Sequence, residues 1–533
     1  MSATTTQTAP AESSLQALLR RAKPSALHLT LFALAACAFA LHQPLGGNEA
    51  STLMGARRFV DPNYIAGDWF LGLPQGPRAP FQWLISPLVA TFHMVTLSLV
   101  GRLIGYWALS AGIARLLSRF ELRVGEALIF AAAFVRYDQA LFAGEWLFGQ
   151  FESKVIAYAL ILYAVDAAAD LKLSRAAVFL GLATTLHALV GGWATFALAL
   201  AILSMRPALS RETVVKSGLS WLAAAAPGIF LVAESAGSVR SQSPDVAWIY
   251  VDLRNPHHLL PTTWHLSRSS VVIMVVLLPG LLNIHRLWPK RDDVKLTARF
   301  VLAALVPCVA GLGVAYLSSH HTFLATYPFR IGGTLLLLLG LPLVGLPLLR
   351  AVPPRLGLAL QVVALLLVLR STARSVRSDV AGMRATPLGG HDVASPEVTS
   401  FDAACAWLRA QPERDLLLVS PAHQAASYLT ERPVVVTFKD IPSGATSAVA
   451  WYQRMLEMSG NAPFEARGYE LATEVDRRFE SLSIPNYCRL AEQYAAHWLL
   501  VRRQDLTPTP QHIEGNWRIY DIGPLCRAVE AKT

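Results

Sequence analysis

The chain has 533 residues, of which 53% are hydrophobic and only 15% charged, against roughly 25% charged in a soluble globular protein. That composition, with a mean hydropathy of +0.41, excludes a soluble enzyme and a disordered or fibrous chain, and five cysteines are too few for a disulfide scaffold. The formal net charge of +10 is uneven: residues 371–533 hold 17 Lys and Arg against 19 Asp and Glu, so residues 1–370 carry a surplus of twelve. A basic excess confined to the apolar part suits cytoplasmic loops and anionic lipid. The polar part has no basic stripe interleaved with aromatics, so no nucleic acid partner is expected.

In chain order, residues 1–25 read as a polar cytoplasmic N-terminus ending in Arg20, Arg21 and Lys23. The apolar run that follows, about 26–41, is expected to stay as a first membrane helix rather than to be cleaved as a signal. Further apolar stretches lie near 81–117, 124–141, 154–170, 174–190, 192–204, 217–236, 269–285, 298–317, 328–349 and 355–370. The first of these is long enough for two spans. Taken as one span plus an interfacial segment, it puts 18 loop Lys and Arg on one face against seven on the other. Arg136 and Lys154, at the edge of an outer loop, raise the seven to nine. The positive-inside rule then predicts eleven spans, with the N-terminus inside and the C-terminus outside.

Residues 371–395 read as a polar linker, and 396–533 as an outer α/β domain. Strands are predicted at 416–419, 434–438, 498–501 and 517–520, in a small doubly wound sheet. Its first strand is followed by Ser420-Pro421-Ala422-His423 rather than a glycine-rich turn, which argues against a dinucleotide site. Of Cys405, Cys488 and Cys526 one pair is free to form a disulfide in an oxidising compartment. The predicted fold class is thus mainly α: a polytopic helical membrane protein (about 11 transmembrane helices) with a small C-terminal α/β extracytoplasmic domain.

The polar residues worth chemical attention gather on the outer side. The long first outer loop, 42–80, carries Glu49, Asp61 and Asp68 and no lysine. A carboxylate at the membrane boundary can serve as a general base or ligate a divalent cation; alternatively, Asp61 and Asp68 cap short helices. The second outer loop holds Glu145, Glu152 and Lys154, which read either as structural ion pairs or as a pocket in which Lys154 faces an anionic headgroup. Arg136 and Asp138 form a similar pair. Arg254, His257, His258 and Arg330 make a phosphate cradle the natural reading, because guanidinium presents a bidentate fork to phosphate oxygens; the alternative is headgroup-level anchoring. His320 and His321 form a second histidine pair, but adjacent histidines rarely chelate one ion, and no dedicated metal site is predicted. His187, before Gly191-Gly192, is a pocket residue or a satisfied interior histidine. Lys439 and Asp440 follow a predicted strand end, where open α/β sheets place ligands.

Together these features resemble the GT-C superfamily of polytopic glycosyltransferases and, more closely, an uncharacterised bacterial domain family of that architecture. The likeness spans about residues 30–522. It rests on Asn48-Glu49, Asp61-Pro62, Glu152-Ser153-Lys154 with Ala157-Tyr158, and His187 with Gly191. It continues through Arg254-Asn255-Pro256-His257-His258, Pro328-Phe329-Arg330 and Phe438-Lys439-Asp440-Ile441-Pro442. The resemblance implies a multi-pass inner-membrane enzyme using a polyprenyl-phosphate-linked sugar, with Glu49, Asp68 or Asp61 as carboxylate base. Arg254, His257, His258, Arg330, Lys154 and Glu152 would then bind substrate, and a divalent cation is a possible cofactor. The rival expectations are a lipid-linked glycan flippase and a non-catalytic cell-envelope scaffold.

Overall fold

The structure is a computed structural model that describes residues 22–40, 45–136, 139–206, 209–237, 245–318, 321–385, 396–507 and 509–530. Tyr137, Asp138, His320 and part of the expected linker lie outside the described residues. Each of the eleven expected segments carries a helix. Among the described residues six helices are long and apolar enough to cross a membrane: Met94–Phe120, Ala188–Met205, Arg211–Ser235, Asp292–Leu317, Gly332–Ala351 and Pro354–Arg374. The chain is a multi-pass membrane protein. The 81–117 stretch divides as expected, into a short helix Ala79–Thr91 and a long helix Met94–Leu117. His93, in extended conformation, separates them. The last helix runs on to Ala385, through the first part of the segment read as a linker.

Without water between helices, close approach depends on small residues. Gly101, Gly105 and Gly112 line the side of Met94–Leu117 that meets the helix Ser153–Ala169. A Cβ on Gly101 would stand 2.4 Å from the Phe151 ring, and one on Gly112 would stand 3.1 Å from the Ala159 carbonyl oxygen. This contact sets the height of Ser153–Ala169 in the bundle, and hence of Lys154 at its outer end. Gly112→Leu should therefore lower thermal stability in detergent, by about 1–3 kcal/mol. Gly313→Ala, where a Cβ meets nothing within 4 Å, is the control and should leave the midpoint unchanged or raised. At the basic end of the bundle, Asp166 pairs with Arg115 at 2.6 Å and Arg119 at 2.7 Å, and Glu126 pairs with Arg350 at 2.8 Å.

The C-terminal sheet departs from the doubly wound expectation. Its strands are β1 (Leu416–Val419), β2 (Ala496–Val501), β3 (His512–Glu514) and β4 (Trp517–Asp521), in the order β1-β2-β4-β3. Only β1 and β2 are parallel; β4 is antiparallel to β2, and β3 forms a hairpin with β4. Gly515 turns that hairpin at φ +55°, a conformation glycine adopts without strain. The expected strand 434–438 makes a single bridge, Leu417 to Val434; four of its backbone groups are taken by side chains, and Phe438 N donates to the Pro421 carbonyl at 2.8 Å. Val434 N donates to Asp68 Oδ2 (3.3 Å), and Val435 O accepts from Arg454 Nη1 (3.0 Å). Thr437 O accepts from Trp451 Nε1 (2.8 Å), and Phe438 O from Arg254 Nε (2.9 Å). Buried backbone polar groups need partners of some kind, and here the outer loops supply two of the four.

The first outer loop is not a free appendage. Its helix Asn48–Val60 buries Glu49, Ala50, Ser51, Leu53, Met54, Gly55 and Ala56. Leu53, Met54, Tyr64, Ile65 and Leu71 share one hydrophobic core with Phe401, Leu408, Leu417, Trp498 and Ile519 of the C-terminal domain. Ile249 and Leu253, from the loop after Arg211–Gly237, join a second core with Val435, Trp451 and Leu499. Two interhelical loops thus fix the domain on the bundle. Cys488 and Cys526 form a disulfide within it, joining the helices Ile484–Tyr494 and Ile522–Glu530, and Cys405 is a buried free thiol.

Candidate functional site

Glu49 opens the helix Asn48–Val60 after Gly47, which turns the chain at φ +56°. The side chain is fully buried and bound on every lone pair. Oε1 accepts from Arg102 Nε (3.0 Å) and Phe151 N (2.8 Å). Oε2 accepts from Arg102 Nη2 (2.6 Å) and Leu45 N (3.1 Å). Arg102, itself fully buried, also donates to the carbonyls of Phe39 and Ala40. In this arrangement Glu49 offers no free oxygen to an acceptor hydroxyl. Sequence reading overlooked Arg102, although an arginine inside an apolar span is the signal that a buried partner exists.

Asp61 stands at the opposite end of the same helix, about 18 Å from Glu49 along its axis. It is exposed, and Oδ1 accepts from Asn63 N (3.0 Å) in a local turn. Asp68 is buried where the loop meets the C-terminal domain: Oδ1 accepts from Leu71 N (2.9 Å), Oδ2 from Val434 N. Burial pushes its carboxyl up to about 6, offset in part by those backbone donors and reinforced by Asp440. Asp440 accepts from Ser51 Oγ and from Thr437 Oγ1 (2.7 Å). Both aspartates line a small cavity with room for about one water molecule. Glu49, Asp61 and Asp68 therefore do not converge on one divalent cation. Among the described residues no group of three His, Cys, Asp or Glu side chains is placed to hold a metal ion.

The other predicted residues do come together. Glu145 Oε1 lies 2.6 Å from Lys154 Nζ, and Glu145 Oε2 lies 2.7 Å from Arg330 Nε. Lys154 also reaches Glu152 at 3.4 Å and sits 3.6 Å above the Trp146 ring. Glu152 Oε1 accepts from Asn48 Nδ2 (3.0 Å), which ties this cluster to the start of the first-loop helix. Burial alone would raise the Glu145 carboxyl, but Arg330 and Lys154 hold it well below the usual carboxylate range. His258 Nδ1 is 2.6 Å from the Ala143 carbonyl, so that nitrogen carries the proton. Burial lowers His257 to about 3 and His258 to about 4, with neighbouring cations adding to the effect on His257; both are neutral at pH 7.

Arg254 is buried beneath the domain, its guanidinium 4.0 Å above the Phe438 ring and donating to the Phe438 carbonyl. No carboxylate among the described residues pairs with it. Lys439 lies within electrostatic reach of Arg254, Glu152, Asp440 and Lys154; burial, aided by Arg254, lowers its ammonium to about 8. Arg78 acts on Arg254 and on Tyr327 from the first loop. Lys154, Arg254, Arg330 and Lys439, buried or half-buried, thus face four carboxylates (Glu145, Glu152, Asp440 and Asp68 beside it), and the exposed Arg78 adds a fifth cation at the rim. Arg254, buried and without a carboxylate partner among the described residues, is the cation of this group with charge left to offer. His187 caps the helix Ala188–Met205 through Val190 N (3.4 Å) and lies within reach of Arg330, Glu145 and Lys154. His321 pairs instead with Asp252 at 2.9 Å. The role of Arg78 was not legible from the sequence, since it lies far along the chain from its neighbours in space.

Comparison with known proteins adds two findings. Residues 399–458 match a family described as "Domain of unknown function (DUF6798)", in line with the expected likeness to an uncharacterised domain family. The fold is similar to the crystal structure of ArnT from Cupriavidus metallidurans in the apo state, at 11% identity and a TM-score of 0.49 over 94% of this chain and 97% of that one. No curated protein matches the sequence.

Proposed function

We propose that the protein is an integral-membrane glycosyltransferase that moves a sugar from a polyprenyl-phosphate donor to an extracytoplasmic acceptor. The observation that carries this reading is the cluster of Lys154, Arg254, Arg330 and Lys439 with Arg78 at its rim, in which Arg254 has no carboxylate partner among the described residues, built where the bundle meets the domain. In the reaction an acceptor oxygen forms a bond to the anomeric carbon and gives its proton to a carboxylate. The bond from that carbon to the phosphate oxygen breaks, and its electron pair leaves on polyprenyl phosphate. Cations fixed where that charge develops lower the barrier without reorganisation. The cytoplasmic N-terminus and outer domain of this scheme draw support from the loop charges and the Cys488–Cys526 disulfide, which belongs to an oxidising compartment.

Asp68 is the better base of the three loop carboxylates, because a carboxyl at about 6 is mostly ionised at neutral pH yet still basic. Glu49 then positions the cradle: it holds Phe151 N, next to Glu152 and Lys154. The flippase alternative would need free ionisable groups at mid-bilayer depth, whereas Asp166 is tied to Arg115 and Arg119 and Glu234 lies near the end of its helix Arg211–Gly237.

Two experiments test the scheme. Lipid-linked and surface glycans from wild-type, deletion and Arg254→Ala/Arg330→Ala strains should show the same single sugar missing from both mutants. A wild-type glycan in the double variant at normal protein level would sink the proposal. In reconstituted protein, kcat/KM should rise with pH through an apparent pKa near 6, and Asp68→Asn should flatten that limb. The same group gives a stability signature. Its folded-state pKa is raised, so the ionised form opposes the fold: that penalty is absent below about 3.8, grows up to about 6 and is constant above. Asp68→Asn should thus remove this pH dependence of the thermal midpoint, although its amide NH2 turns toward Leu71 N or Val434 N and lowers the midpoint at every pH.

A further inference from the structure

The described C-terminal domain exposes two large apolar side chains, Tyr469 (62%) and Ile513 (54%), whereas the other exposed large apolar residues fall between positions 29 and 369, in the membrane part and its loops. A single exposed ring is ordinary by itself; the position of Tyr469 is what gives it a chemical reading. The ring stacks on His257 with centroids 4.3 Å apart and planes at 31°. The Tyr469 side chain lies within electrostatic reach of Arg254, on the rim of the cationic cradle. The contact is fixed from behind: Gly468 N donates to the Leu253 carbonyl at 2.7 Å, and a Cβ on Gly468 would stand 3.2 Å from Pro256 Cγ. His257 is neutral at pH 7, and its Nδ1 is buried without a hydrogen-bond partner among the described residues.

We infer that Tyr469 and His257 form the subsite for the sugar ring of the phosphate-linked substrate. Rings joined directly to a phosphate bound in the cradle come to rest beside it. A pyranose or furanose presents one face of C–H bonds, which the exposed face of the Tyr469 ring matches, with His257 backing that ring from the other side. Glu470 and Arg467, both exposed beside Tyr469, offer further hydroxyl contacts. This inference rests on the cradle reading for the location of the phosphate, but it concerns the sugar alone.

Native mass spectrometry of the full-length protein in detergent separates the two. The probes are undecaprenyl phosphate and its glucosyl, mannosyl and arabinosyl esters. Wild type should bind at least one ester about three- to tenfold more tightly than the bare phosphate. Tyr469→Ala should erase that preference and leave affinity for the bare phosphate as it was; Tyr469→Phe should keep the preference. The sugar subsite is overturned if wild type prefers none of the esters, or if Tyr469→Ala keeps the preference. Unchanged binding of the bare phosphate by both Arg254→Ala and Arg330→Ala would instead overturn the cradle, while a Tyr469-dependent preference in the same experiment would leave the subsite standing.

Discussion

Glu49→Ala is expected to loosen the whole outer end of the protein, with a loss of stability of about 3–5 kcal/mol. The substitution leaves the Arg102 guanidinium buried in the helix Met94–Leu117 without its countercharge, although it still donates to the Phe39 and Ala40 carbonyls. It also strips Leu45 N and Phe151 N of their partner, and a buried donor without an acceptor costs about 1–3 kcal/mol more. Glu49→Gln is little better, since its amide NH2 faces donors on every side. The measurement is the thermal midpoint in detergent, read beside transfer activity. A double variant, Glu49→Leu with Arg102→Met, decides what the pair is for. Replacing a buried ion pair by apolar groups of similar volume often restores stability. If Glu49 positions the cradle, the double variant should recover most of the midpoint and a measurable fraction of activity. If Glu49 is the base, the midpoint returns and activity does not. A single Glu49→Gln variant as stable as wild type would refute the structural role altogether.

This pair also shows where sequence reasoning reaches and where it stops. Helices over the apolar stretches and the split of 81–117 were legible because apolar length and loop charge are one-dimensional signals, read along the chain without knowing contacts. Glu49 was legible as unusual, a carboxylate just past an apolar run. Its partner Arg102 lies 53 positions away, and nothing in the local pattern joins the two. The same holds for the segment 434–438, whose β-branched run reads as a strand. In the fold Asp68, Arg254, Arg454 and Trp451 claim four of its backbone groups, a tertiary override that propensity cannot anticipate. Arg254, His257, His258, Arg330, Lys154 and Glu152 were picked by residue type alone. They converge because the helix Ser153–Ala169 and the outer loops share one end of the bundle, which the span count already implied. What the count did not imply is that the domain closes the site from above with Lys439 and Asp440.

Removing Arg330 or Arg254 should cost about 100- to 1,000-fold in sugar transfer, but for different reasons that one set of measurements can separate. Arg330 is balanced against Glu145, which Lys154 also contacts. Arg330→Ala leaves that carboxylate with one cation instead of two, so the cradle loses positive charge while its scaffold stays bound through Lys154. The expected result is a large fall in kcat/KM and in affinity for polyprenyl phosphate, with a small change in the thermal midpoint. Adding Glu145→Gln restores the charge surplus, and should recover part of the affinity. Arg254 makes its bonds to the backbone of the domain, at the carbonyls of Phe438 and Lys439. Arg254→Ala therefore removes charge and also frees the segment that carries Lys439 and Asp440, so activity and midpoint should fall together. Arg254→Lys keeps the charge but loses the planar fork and the stacking on Phe438, and should restore binding of the phosphate more than transfer. The pair of variants distinguishes an anion site from a mere seam: at a seam, Arg330→Ala would transfer sugar at the wild-type rate, whereas a cradle that stabilises a departing phosphate has no way to lose that charge and keep its rate.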